Sequence, residues 1–209
     1  MNKLQARQIL GLDGTEDERI IIMERKILVV VDMQNDFLTG ALRNEDGIKV
    51  IDNIKAKLDA ADDETIIVFT RDTHNNDYME LEEGKNLPVP HCIKNTKGWE
   101  IEDTLKSVIE DLNQDVYEID KETFGSDKLF ELLRLKKNQI DEVELVGVCT
   151  DICVISNAII AKTALPNVPI YVDAACCAGV TPESHDTALA AMKACHIHVT
   201  NEGKEPWRK

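Results

Sequence analysis

Two cysteines lie four residues apart beside a Thr-Asp pair in the segment GVCTDICV, residues 147–154. A short apolar run precedes them and apolar residues at helical spacing follow, so a strand should pass into a helix here. If the helix begins near Asp151, Cys153 lies in its first turn, where the helix dipole favours the thiolate, the nucleophilic form of cysteine. The turn also leaves backbone N–H groups that could bind an oxyanion. Cys153 is therefore a candidate nucleophile.

Free cysteines are more often small buried hydrophobes than catalytic groups. By that alternative, Cys149 and Cys153 both fill space in the core. From the residues alone we assign Cys149 to packing and leave both roles open for Cys153.

A carboxylate and an amine follow two other apolar runs. Asp32 ends KILVVVD at residues 26–32 and could carry protons. Lys121 follows DVYEI at residues 115–119, and near a thiol it could lower the thiol pKa. Each has a simpler alternative, because a strand-end aspartate can cap the next turn and a lysine there is normally solvated.

The polar loop at residues 71–91 carries groups that bind metals. Asp72 and His74 form an Asp-x-His pair, and Glu83 and His91 follow. Carboxylates with imidazoles suit Zn, Mn or Fe better than Mg or Ca. A polar loop without an ion is the alternative.

Apolar strand patterns alternate with amphipathic helix patterns along the chain. Such alternation predicts one α/β domain, a parallel sheet of about six strands with helices on both faces. Working residues in such folds follow the carboxyl ends of the strands. The predicted strands are 26–32, 65–70, 115–119, 143–148, 168–174 and 196–200, and the predicted helices are 47–61, 100–112, 126–137, 151–164 and 182–195. Asp32, Arg71, Asp72, His74, Lys121, the segment 149–153 and Asp173 should then converge at one edge.

Composition narrows the class of protein. The net charge of −15 over 209 residues disfavours nucleic acid and anionic membranes as partners. No apolar run is long enough to span a bilayer, and no secretory signal is recognisable at the start, so we predict a cytoplasmic protein with six reduced cysteines. Residues 1–22 are predicted to be an extension of unknown role, followed by a domain at 23–209.

Four motifs in order resemble the isochorismatase-like cysteine hydrolases, the family that includes nicotinamidases. They are VVVDMQNDF at 29–37, HCIKNTKGWE at 91–100, KETFGSDKL at 121–129 and GVCTDICV at 147–154. The resemblance extends from about residue 26 to 200. It implies that Asp32, Lys121 and Cys153 form a catalytic triad that hydrolyses a small carboxamide through a thioester, with nicotinamide as the leading substrate.

The resemblance also implies the rest of the site. The Val148–Cys149 peptide bond should be cis, and the N–H groups of Cys149 and Cys153 should hold the oxyanion. A divalent Zn, Mn or Fe ion should bind Asp72, His74, Glu83 and His91, with Glu82 as the rival to Glu83. No organic cofactor is implied.

The substrate pocket is expected to include Gln34, Phe37 and Phe124. Nicotinamidases usually have an aromatic residue shortly before the last metal histidine, whereas this chain has LPVP at residues 87–90. Two other functions stay open: a different hydrolase of the family, cleaving a carbamoyl amide or an isochorismate-type enol ether, and a non-catalytic binding module.

The remaining residues receive structural interpretations. His185 is assigned to surface or packing, and Trp207 to a polar tail. The apolar faces of the later helices predict a homo-oligomer. The resemblance implies the same, because members of that family often form one.

Overall fold

The computed structural model describes residues 25–208, so the predicted extension at residues 1–22 lies outside the described residues. Within residues 25–208, six parallel strands form a single sheet. They are β1 Arg25–Val31, β2 Ile66–Asp72, β3 Val116–Lys121, β4 Ile140–Val148, β5 Ile170–Ala178 and β6 His198–Thr200. Their number and parallel direction confirm the predicted α/β fold.

The order of the strands, β3-β2-β1-β4-β5-β6, places β1 and β4 at the centre of the sheet. The last five residues of β1 are fully or almost fully buried, as expected for a strand covered on both faces. The chain winds outward in one direction after β1 and in the other after β4. The carboxyl ends of β1 and β4 therefore flank the topological switch point, where such sheets bind ligands.

Helices cover both faces of the sheet. They are α1 Asn35–Leu38, α2 Glu45–Lys49, α3 Ile51–Asp59, α4 Glu82–Asn86, α5 Asp103–Asp111, α6 Asp127–Lys136, α7 Ile155–Ala164 and α8 Pro182–Ala194. Side chains of α6, α7 and α8 pack on one face, and side chains of α3 and α5 pack on the other. Two apolar layers thus hold the sheet rigid beneath the strand ends.

Several boundaries differ from the sequence prediction. The helix predicted at 47–61 is two helices, α2 and α3, which meet at Val50. Asn44 starts α2 earlier than predicted, because its side chain accepts hydrogen bonds from the N–H groups of Asp46 and Gly47. The loop after β2 is also more ordered than predicted, since it contains a 3-10 turn at Tyr78–Glu80 and the short helix α4.

Strand β5 continues past its predicted end at residue 174. Its pairing with β4 shifts between Leu145, which faces Val172, and Gly147, which faces Cys177. Asp173 lies in this irregular stretch, where its carboxylate accepts a hydrogen bond from the N–H of Ala175 and contacts Lys57 at 2.8 Å. Asp173 is therefore committed to a structural ion pair, and the prediction that it joins the site is wrong.

All six cysteines of the chain are unpaired, as predicted. No helix within residues 25–208 is both long and apolar enough to cross a membrane.

Candidate active site

Asp32 leaves β1 in a left-handed backbone conformation, with φ of 49°. Its side chain is fully buried. The hydroxyl of Thr70, on the neighbouring strand β2, donates a hydrogen bond of 2.7 Å to Asp32 Oδ1. This contact leaves Oδ2 directed at the ammonium of Lys121, 2.7 Å away.

Lys121 connects the predicted residues. It is the last residue of β3 and is only 2% exposed. Besides Asp32, its Nζ lies 3.6 Å from Cys153 Sγ and 3.1 Å from Asp72 Oδ1. Asp72 and Lys121 are partners in the register of β2 and β3, so the sheet itself sets that contact. One buried ammonium thus contacts two carboxylates and a thiol.

Cys153 lies in a π-helical turn, Thr150–Val154, that leads into α7. The N–H groups of Ile152 and Val154 both donate to the carbonyl of Cys149, at 3.1 and 3.0 Å. The Val148–Cys149 peptide bond is cis, as the resemblance implies. The turn holds the sulfur over the sheet edge, and only 5% of Cys153 is exposed.

Gly147 allows β4 to approach β1 just before this turn. Its φ is 114°, and a Cβ atom there would lie 2.1 Å from the carbonyl oxygen of Val31. A side chain would clash with backbone and adopt a conformation that glycine tolerates best. The segment that carries Cys153 therefore depends on a glycine at this position.

The electrostatics of the site differ from the expectation of a thiolate at a helix start. Burial and the negative charge of Asp32 raise the pKa of the Cys153 thiol well above its ordinary value, and the charge of Lys121 only partly opposes them. Burial likewise raises the pKa of Asp32. The raised pKa favours the protonated thiol, which needs a base to become a nucleophile. Asp32, a stronger proton acceptor than an ordinary carboxylate, lies beside it.

Four side chains, from the end of β2 and the loop that follows it, form the second polar group of the site. One ligand atom from each of Asp72, His74, Glu83 and His91 lies within 4.8 Å of the others. Nε2 of His74 is 2.9 Å from Asp72 Oδ2, and Nε2 of His91 is 3.4 Å from the same oxygen. Glu83 Oε1 faces both imidazoles, at 3.7 and 3.9 Å. The short helix α4 brings Glu83 to this place.

This donor set fits a divalent transition metal. Nδ1 of His91 lies 2.8 Å from the carbonyl oxygen of Val89 and donates its proton there, so Nε2 is the ring nitrogen that faces the other candidate ligands. Two imidazoles and two carboxylates are ligands that Zn, Mn and Fe accept. Glu82 is exposed and accepts a hydrogen bond from Asn86. The geometry favours Glu83 over Glu82.

A cavity of about 710 Å³ opens above both groups. Cys153, Cys149, Asp72, Glu83 and His91 contribute to its wall. Its apolar wall includes Phe37, Leu42, Leu87, Phe124, Ile152 and Val180. Phe37 and Phe124 therefore line the cavity, and their contact with a substrate stays a prediction.

Gln34 does not line the cavity, contrary to the sequence prediction. It is fully buried, and its amide nitrogen donates to the carbonyls of Asp72 and Trp99, at 2.9 and 2.8 Å. Its amide oxygen accepts from the N–H of Asp72 at 2.7 Å. The amide of Gln34 thus connects the end of β2 to the loop before α5 through three hydrogen bonds.

Sequence reasoning missed Tyr78. Its ring centroid lies 4.7 Å from that of His74 and 5.1 Å from that of His91. Its hydroxyl donates to the carbonyl of Leu87 at 2.9 Å. Tyr78 is 1% exposed, so it packs behind the ligand cluster and not in the cavity. Its place between His74 and Glu83 in the loop is the only signal the sequence carries.

The parallel sheet, with polar groups and a cavity at its switch point, defines an α/β protein whose candidate ligand site lies beyond its strand ends. Within that class the chain belongs to the isochorismatase family, because the sequence model described as "Isochorismatase domain" matches residues 26–202.

Named relatives agree with this assignment. The nicotinamidase of Schizosaccharomyces pombe is 26% identical over 218 residues, which covers 86% of this chain and 94% of the relative. The structure of the pyrazinamidase of Pyrococcus horikoshii in complex with zinc superposes with a TM-score of 0.70 at 30% identity, covering 84% of this chain and 98% of that one. The nicotinamidase/pyrazinamidase PncA of Bacillus subtilis gives 0.72 at 29% identity, with coverage of 84% and 98%.

Proposed function

We propose that this protein is a cysteine-dependent amidohydrolase that cleaves a small carboxamide, with conversion of nicotinamide to nicotinate and ammonia as the leading case. One observation carries the proposal: Lys121 Nζ lies 2.7 Å from Asp32 and 3.6 Å from the Cys153 sulfur at the wall of a cavity. The nicotinamidases and pyrazinamidases among the relatives support the substrate class.

The chemistry begins with a proton transfer. Asp32, whose pKa is raised by burial, accepts the proton of the Cys153 thiol, and the nearby ammonium of Lys121 stabilises the resulting thiolate. The sulfur attacks the amide carbon, and the carbonyl oxygen becomes an oxyanion. The backbone N–H groups of Cys149 and Cys153 are the proposed donors to this oxyanion.

The remaining steps return the site to its first state. The C–N bond breaks as Asp32 gives its proton to the leaving nitrogen, so ammonia departs and a thioester remains on Cys153. A water molecule then attacks the thioester carbon while Asp32 accepts its proton. The C–S bond breaks, the carboxylic acid leaves, and the proton returns to the sulfur.

Asp72, His74, Glu83 and His91 would hold the divalent metal. When bound, the metal supplies a Lewis acid that can hold a donor atom of the substrate, such as a ring nitrogen. Asp72 also contacts Lys121 through its other carboxylate oxygen. That shared carboxylate sets the position of the metal ligands relative to the nucleophile.

Residues 87–90, before His91, contain no aromatic side chain. Other side chains of the cavity could contact a planar substrate in place of one. Leu87 lines the cavity from that segment, and Phe37 lies with its ring centroid 5.5 Å from that of His91. Phe37 and Phe124 can therefore offer aromatic faces to a planar amide.

Release of ammonia from a panel of carboxamides tests the proposal. Purified protein should release ammonia from nicotinamide or pyrazinamide, and the Cys153→Ala variant should not. Cys195→Ala, which removes an exposed cysteine, is the matched control and should keep full activity. Activity of Cys153→Ala on an enol ether such as isochorismate, with no amide cleaved by the parent protein, would overturn the proposal in favour of enol-ether hydrolysis. Absence of any hydrolysis would favour a binding module.

The cytoplasmic location and the homo-oligomer stay predictions from the sequence.

A further inference from the structure

A second buried polar group lies behind the turn that carries Cys153. His185, on α8, is fully buried, and its Nδ1 lies 2.8 Å from the hydroxyl oxygen of Thr150. Its Nε2 lies 3.4 Å from Oε1 of Glu205, which is also buried. Thr150 is the first residue of the π-helical turn and directly follows Cys149. The chain Glu205–His185–Thr150 thus ends at the turn of the proposed nucleophile.

The direction of these hydrogen bonds follows from the charges. Arg208 contacts Glu205 at 2.6 Å, and, although burial opposes it, hydrogen bonds from Arg208 and the backbone lower the pKa of Glu205 to about 2. Glu205 is therefore an acceptor. Burial lowers the pKa of His185, so its ring is neutral and has one N–H. That N–H lies on Nε2, facing Glu205, so Nδ1 accepts a hydrogen bond from the hydroxyl of Thr150.

The C-terminal segment Gly203–Arg208 holds this arrangement in place. Trp207 packs edge-on against the His185 ring with centroids 5.0 Å apart, and its indole N–H donates to the carbonyl of Cys177 at 3.0 Å. Trp207 is 7% exposed, so the expectation of a polar tail is wrong. This segment lies beyond the residues 26–202 that match the family.

A neighbouring contact also holds this turn to the segment just before α8. Asp151 Oδ1 accepts a hydrogen bond of 3.0 Å from the N–H of Val180. A Cβ atom on Gly179 would lie 2.9 Å from the Cβ of His185, so the backbone there passes close to the histidine. Thr150 and Asp151 are therefore both bound to the segment that starts α8.

We propose that His185 is a positioning residue, which holds the nucleophile turn through the hydroxyl of Thr150 and is itself oriented by Glu205. The role deepens the proposed amidase function and rests on it. His185 touches no substrate. It fixes the backbone between Cys149 and Cys153, whose N–H groups and sulfur must stay aligned with Lys121 and Asp32.

Thr150→Val and Thr150→Ser test the role directly. Valine keeps the shape of threonine without the hydroxyl, whereas serine keeps the hydroxyl. We expect Thr150→Val to lower kcat about 10- to 100-fold with KM changed less than about threefold, the range that displaced catalytic groups produce. Thr150→Ser should restore kcat to within about threefold. Thr163→Val, on the same helical segment with its hydroxyl bonded within α7, is the matched control and should change neither constant.

His185→Asn and His185→Leu extend the test to the ring itself. Asparagine can place an acceptor where Nδ1 lies, so it should retain more activity than leucine. Alkylation of Cys153 by iodoacetamide, followed by mass spectrometry of its peptide, gives a readout that needs no substrate. Thr150→Val should slow this alkylation relative to Thr150→Ser, whichever amide the enzyme cleaves. If Thr150→Val folds, keeps kcat and alkylates like the parent protein, His185 is a packing residue and the inference is wrong.

Discussion

The carboxylate of Asp32 and the ammonium of Lys121 lie 2.7 Å apart with almost no exposure to water. Because both charges are buried, each stabilises the ionised form of the other, and loss of one would leave the other uncompensated. Burial and the charge of Asp32 raise the pKa of the Cys153 thiol, and the charge of Lys121 lowers it. Protonation of the proposed nucleophile is therefore controlled by its neighbours.

Asp32→Asn should separate hydrolysis from thiol reactivity. Hydrolysis should fall about 10²- to 10⁴-fold, because the proton acceptor is lost. The thiol pKa of Cys153 is raised partly by the charge of Asp32, so its neutralisation should lower that pKa. Alkylation of Cys153 should then rise at a lower pH in Asp32→Asn than in the parent protein. The measurement is the iodoacetamide rate against pH, read from the Cys153 peptide.

Cys195 provides the internal reference for that experiment, because it is exposed and its peptide comes from the same digest. An alkylation curve for Cys153 that stays in place, or moves to higher pH, would contradict the assignment of Asp32 as the group that raises the thiol pKa.

The two cysteines of GVCTDICV should respond differently to substitution. Cys153→Ala should lower kcat/KM by at least about 10³-fold, since the thioester cannot form. Cys149→Ala should stay within about tenfold of the parent protein, because the proposed role of residue 149 uses its backbone N–H. Steady-state ammonia release checks both. A Cys149→Ala enzyme as inactive as Cys153→Ala would show that the Cys149 sulfur itself takes part.

Glu83 and its neighbour Glu82 offer a matched pair for the metal site. Glu83→Gln should lower zinc affinity by about tenfold or more, because one carboxylate ligand is weakened. Glu82→Gln should leave affinity unchanged, because Glu82 is exposed and bonded to Asn86. Isothermal titration of the metal-free proteins with zinc measures both. Equal loss in both variants would argue against Glu83 as a specific ligand.

Gly147 and Gly203 both have positive φ, but only Gly147 lacks space for a Cβ atom. Alanine at each position therefore separates the cost of a steric clash from the cost of the backbone conformation. Gly203→Ala should cost about 1–3 kcal/mol, because φ is 81° but nothing lies within 4 Å of the new Cβ. Gly147→Ala should lower the free energy of unfolding by more than about 4 kcal/mol, or prevent folding, since the Cβ also meets backbone at 2.1 Å. Urea denaturation measures both values. Similar costs for the two variants would show that β4 can move away from β1.

The sequence alone was sufficient to predict the parallel sheet and the proximity of Asp32, Lys121 and Cys153. Buried parallel strands are continuous apolar runs, and the rule that function follows strand ends needs only their order. The strand-end rule failed for Asp173, because β5 continues to Ala178 and leaves Asp173 inside the strand, where its carboxylate pairs with Lys57.

The protonation of Cys153 could not be predicted from the sequence either. A helix start favours a thiolate, but burial and the charge of Asp32 raise the thiol pKa, and burial is a property of the folded chain. His185 and Trp207 were missed for a similar reason. Their contacts connect α8 to a segment near the chain end, and no local pattern marks such a pairing.

Gln34 joins the segment after β1 to the end of β2 and to the loop before α5 through its side-chain amide. Asp32 lies two residues before this joint and Asp72 is bonded to it, so a shift of the proposed proton carrier would also move a proposed metal ligand. Adaptation to a new amide would therefore have to occur in the cavity rim, at side chains such as Leu87, Phe124 and Val180, which are not tied to that joint. The proposed reactive groups are thus coupled to one another through the fold, whereas the side chains of the cavity rim can change with the substrate.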